Sequence, residues 1–138
     1  MKVTSFLAHR DDKRFGEEIR TNLPRLFAEH EAELVQNDAS DYGGPRSFDY
    51  AVATVVTPDL DLRFVRVRSQ FEVEISIPGH RRWDALDSAL LWLDMQRGVQ
   101  TKSNIPNLDW LDWWSIDRFL AENWERMKAA AGARPYLP

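Results

Sequence analysis

Cysteine is absent from this chain of 138 residues, which excludes disulfides, thiolate metal sites and a cysteine nucleophile. No apolar run approaches the roughly 20 residues that cross a bilayer. The opening Met1-Lys2-Val3-Thr4-Ser5-Phe6-Leu7-Ala8 meets His9-Arg10-Asp11-Asp12 too soon to read as a secretion signal. Histidine is scarce. His9, His30 and His80 are the only three, and neither a metal-ligand spacing nor a His-Glu-x-x-His pattern joins any two of them. Gly43-Gly44 runs into Pro45 rather than the lysine and helix start of a phosphate loop. A Gly-x-Ser-x-Gly elbow is also missing. Asp38 and Asp41 sit in the turn-rich Asn37–Pro45 stretch, without the ligand ladder and closing glutamate of a calcium loop. These absences predict no catalytic residue, no metal and no cofactor.

What is present is an ordinary globular composition, 43% hydrophobic and 29% charged, sized for a single domain over residues 1–138. A cytoplasmic monomer or homodimer is the expectation. The net charge of −4 is unevenly spread. Residues 29–62 hold eight acids against Arg46 alone, and residues 103–125 hold five against Arg118. Between them, Arg63, Arg66, Arg68, Arg81 and Arg82 make residues 63–82 basic. An acidic chain has no general attraction to nucleic acid, whose binding rests on neutralised phosphates. A partner protein with a basic surface suits it better.

Hydrophobic spacing predicts a helix over 13–35, with Phe15, Ile19, Leu23, Leu26, Phe27, His30 and Leu34 on one face. On that stripe His30 reads as a packed or edge-of-core imidazole. Asp11 and Asp12 are its candidate caps. Pro24 either kinks this helix or restarts it after Asn22; the unchanged phase of the stripe favours one kinked helix. Three strands follow at 48–57, 60–67 and 70–77. A tight turn at Arg68-Ser69 pairs Arg66 with Phe71, Phe64 with Val73 and Leu62 with Ile75, and sets Arg63 opposite Glu74 on the wet side. Connections this short make the strands an antiparallel meander. A second helix spans 83–96, with Trp83, Leu86, Leu90 and Leu93 buried and Gly98 ending it. A third spans 115–131, capped by Ser115 and closed by Gly132. The predicted fold is α+β: a three-stranded antiparallel meander with an N-terminal helix and two C-terminal helices packed on one face. A fourth strand at 2–7 is the open variant. Phe64, Phe71, Val73, Ile75, Leu86, Leu90 and Phe119 are the expected core.

The least ordinary segment is Asn107-Leu108-Asp109-Trp110-Leu111-Asp112-Trp113-Trp114, which holds three of the six tryptophans. Tryptophan joins large apolar area to a polar N–H and anchors interfaces. Asp109, Trp110, Asp112, Trp113 and Trp114 are therefore the candidate partner-binding residues, with Asp38 and Asp41 as a second edge. The alternative is that these rings pin an irregular segment to the core, and a split between the two is expected. Paired acids such as Asp109 and Asp112 also occur in glycoside hydrolases, but nothing else here supports that chemistry.

Thr21-Asn22-Leu23-Pro24-Arg25-Leu26-Phe27-Ala28-Glu29-His30 is similar to the Leu-Pro-containing first helix, with its Ala-Glu-His ending, of small bacterial proteins encoded beside polymorphic toxins. Leu60-Asp61-Leu62-Arg63-Phe64-Val65-Arg66-Val67-Arg68-Ser69-Gln70-Phe71 resembles their central hairpin, with Ser69 where a glycine stands in the pattern. Trp83-Asp84-Ala85-Leu86 resembles the start of their next helix. The resemblance covers roughly residues 18–95. It implies an immunity protein that binds and neutralises a cognate toxin in the cytoplasm, with no shared catalytic residues. The alternative class is a small hydrolase or ligand-binding domain with its site between sheet and helices.

Overall fold

The computed structural model describes residues 3–35, 50–67, 70–98 and 112–133. Its elements run α1 (Val3–Asn22), α2 (Pro24–Glu29), β1 (Glu33–Val35), β2 (Tyr50–Val56), β3 (Asp61–Val67), β4 (Gln70–Ser76), β5 (Asp84–Ala85), α3 (Leu86–Gln96), α4 (Trp113–Glu122) and α5 (Trp124–Ala133). The fold is α+β, with one antiparallel sheet in the order β1-β2-β3-β4-β5. The expected three-stranded meander is its centre. Two short edge strands widen it.

The central hairpin has the register predicted from side-chain alternation: Arg66↔Phe71, Phe64↔Val73, Leu62↔Ile75 and Arg63↔Glu74. The preceding turn is built by Thr57, whose hydroxyl accepts from the Leu60 N–H at 2.9 Å and donates to the Leu60 carbonyl at 2.7 Å. Pro58 in that turn needs no N–H partner. One sheet face carries Ala51, Ala53, Val55, Leu62, Phe64, Val73 and Ile75, and it forms one core with buried residues from all five helices. Phe15, Ile19, Leu86, Leu90, Ile116 and Met127 fill the space between sheet and helices.

The other face is less exposed than alternation suggests. Arg63 and Glu74, expected in water, form a two-point ion pair with distances of 2.7 and 3.0 Å, and each side chain is only 17% exposed. The Trp83 ring lies 4.8 Å from the Arg63 guanidinium, so Trp83 shields this pair instead of joining the buried stripe of α3.

Other expectations about the helices are corrected. Residues 3–7 begin α1 rather than forming a strand, because extending a helix adds one hydrogen bond per residue without a new nucleus. The predicted helix over 13–35 ends at Asn22 and restarts at Pro24, with Leu23 as the cap residue. Proline suits a first helical position, where its missing N–H would be unpaired anyway. That second helix stops at Glu29, and Leu34 then pairs with Val55 in the sheet. The predicted helix over 115–131 is two helices meeting at Asn123, whose side-chain amide donates to the Phe119 carbonyl at 2.9 Å. Gly132 lies inside α5 and does not close it, whereas Gly98, at φ +69°, follows α3 as expected.

Of the expected core, Phe71 alone is only half-buried. It packs edge-on against Phe15 at 6.1 Å and lies 5.9 Å from Phe64.

Candidate functional site

Asp112 starts α4. Its carboxylate accepts the Ser115 backbone N–H at 2.8 Å, satisfying one of the donors that a helix start leaves unpaired. The cap is thus Asp112, and Ser115, the expected cap, supplies the donor. Bonds from the backbone and then the side chain of Ser115 hold the Asp112 carboxyl below its ordinary range, so it carries charge at neutral pH.

The cap fixes the two tryptophans that follow it. Successive helical residues point about 100° apart, so Trp113 and Trp114 cannot share a face. Trp113 turns inward, where its ring meets Phe71 edge-on at 5.5 Å and 82°. Trp114 turns outward and is 63% exposed. The expected split between an anchoring ring and a displayed ring falls within this adjacent pair.

One turn further along, Arg118 lies with its guanidinium carbon 5.4 Å from the Trp114 ring centroid. Its Nε donates to Glu122 Oε1 at 2.7 Å. The hydrogen bond and the negative charge of Glu122 raise the Arg118 pKa further. Trp114, Arg118 and Glu122 therefore form one stripe at four-residue spacing. Sequence reasoning passed over Arg118 and Glu122, although that spacing from Trp114 was readable. Asp109, Trp110, Asp38 and Asp41 lie outside the described residues.

A second polar group sits where α2 meets α4 and α5. The His30 imidazole stacks on the buried Trp124 indole at 3.8 Å, with planes 15° apart. Arg25 Nε lies 3.5 Å from the carboxylate of buried Asp117. These residues, with Leu26, Leu120 and Ala121, line a small pocket. His30 Nε2 and Trp124 Nε1 are buried there without hydrogen-bond partners. Reading His30 as a packed imidazole agrees with this placement.

Among the described residues no group of three or more His, Cys, Asp or Glu could hold a metal ion. No described helix is long and apolar enough to cross a membrane. No family model matches the chain, and neither a curated protein nor a solved structure matches it.

Proposed function

We propose that this chain is an immunity protein, acting in the cytoplasm to bind and neutralise a cognate bacterial toxin by protein–protein contact rather than by catalysis. The observation that carries the reading is Trp114, a large ring held 63% exposed on a capped helix. Exposing an indole forgoes burial worth about 2–3 kcal/mol for a large apolar side chain, and exposed aromatics are the usual anchors of interfaces. Asp112 beside it offers a fixed negative charge to a basic partner surface. Similarity of residues 21–30, 60–71 and 83–86 to proteins encoded beside polymorphic toxins supplies the partner class.

The test is co-expression with the product of the neighbouring gene, read as growth rescue and as co-purification. Rescue with a stable complex supports the reading. A toxic neighbour that this chain neither binds nor neutralises overturns it.

A further inference from the structure

We propose that Arg118 is a carboxylate-binding group, so that the partner segment docking on α4 presents an acidic residue beside an apolar one. The proposal rests on the partner-binding reading above and specifies the chemistry of that same surface.

Arg118 is tethered at one end and open at the other. Its Nε is spent on Glu122 at 2.7 Å, and its guanidinium lies 5.4 Å from the Trp114 centroid. The side chains of Arg118 and Glu122 remain 54% and 57% exposed. Among the described residues no protein group takes the Nη hydrogens, which point from a planar fork whose geometry matches the two oxygens of a carboxylate. Holding a long side chain in one orientation normally costs affinity at the moment of binding. Here Glu122 and Trp114 have already restricted it. Trp114 adds apolar area next to the fork, which a neighbouring aliphatic or aromatic side chain of the partner would cover.

The surrounding charge narrows the ligand. Asp112 precedes the stripe, Glu122 ends it and the chain is net negative, so a polyphosphate backbone with its many charges is repelled. A single carboxylate on a neutral or basic protein surface meets the fork while a cation of that surface meets Asp112.

The experiment selects a display library of random peptides on the intact, immobilised chain. Enriched peptides are expected to carry Asp or Glu beside an aromatic or aliphatic residue. Arg118→Gln should weaken the best peptide about tenfold or more, as expected for a lost charge-assisted fork, and Arg118→Lys should not restore it, because an ammonium cannot supply the parallel pair of N–H groups. Circular dichroism checks that both variants fold. Selection of peptides without Asp or Glu, equal affinity for Arg118→Gln, or no enrichment above a Trp114→Ala control overturns the proposal. So does tighter binding of a single-stranded oligothymidylate than of the selected peptide. Growth rescue separates the two readings: rescue by wild type and Arg118→Gln alike, with equal affinity for the toxin, defeats only the carboxylate inference. Failure of the wild type defeats the immunity reading itself.

Discussion

His30 and Trp124 stack face to face at 3.8 Å across the junction of α2 and α5, and each buries a ring nitrogen without a partner. The stack stabilises the junction through ring contact. The unpartnered nitrogens oppose it, since a buried polar atom without a hydrogen bond costs about 1–3 kcal/mol. His30→Phe keeps the ring and removes one such atom, so it should leave stability unchanged or raise it by about 1 kcal/mol. His30→Ala loses the stack and should destabilise by about 1 kcal/mol or more. Urea denaturation of the three proteins checks the order.

Phe64 is fully buried, whereas Phe71 closes the core edge against Trp113. Phe64→Ala should therefore cost about 3–5 kcal/mol, as for other buried aromatic deletions. Phe71→Ala should cost less, about 2 kcal/mol, because part of that ring already faces water. Equal losses in a denaturant titration would contradict the observed burial.

Asp12 ties α1 to the central part of β2. The buried Val52 N–H donates to Asp12 Oδ1 at 2.9 Å. Asp12→Ala removes that acceptor and should destabilise by about 0.5–1.5 kcal/mol, the net worth of an intramolecular hydrogen bond. The Val52 amide should also exchange faster with deuterium. Asp12→Asn retains an oxygen acceptor and should lose less.

The Asp112 cap makes α4 sensitive to acid. Its folded-state pKa lies below the ordinary carboxylate value, so the unfolded chain takes up that proton first. The stabilisation is fully present above the ordinary carboxylate range and is lost as pH falls through the lowered folded value. Asp112→Asn keeps a capping oxygen but no charge, and its stability should vary less over that acidic window. Thermal melts of both proteins at several acidic pH values provide the measurement.

Trp114 and Trp113 should separate binding from folding. Trp114→Ala should leave the melting temperature nearly unchanged and weaken binding to the proposed toxin partner by about 2 kcal/mol or more, the scale of an interface hot spot. Trp113→Ala removes the ring against Phe71 and should lower stability. Calorimetry on the purified complex, with melts of the free variants, distinguishes them.

The hairpin register was legible in the sequence, because alternation from Phe71 to Ile77 allows only one face to be buried and a slip of one residue reverses every side chain. Gly98 was legible as the end of α3 for a similarly local reason, the ease with which glycine takes a positive φ. Leu34 was not. An apolar residue at that spacing fits a helix stripe as well as a strand face, and only its pairing with Val55 decides between them. Pro24 likewise allowed a kink or a restart, and the burial of Leu23 and Leu26 on either side of the break accompanies the restart. At the candidate site, the sequence supplied the aromatic and acidic residues but not their directions. Cap geometry at Asp112 and the position of Phe71 decide that Trp113 points inward and Trp114 outward. Local patterning determines which periodicities a segment can adopt. Edge pairing and the exposure of a given ring depend on residues distant in the chain, and those contacts exist only once the sheet and helices have come together.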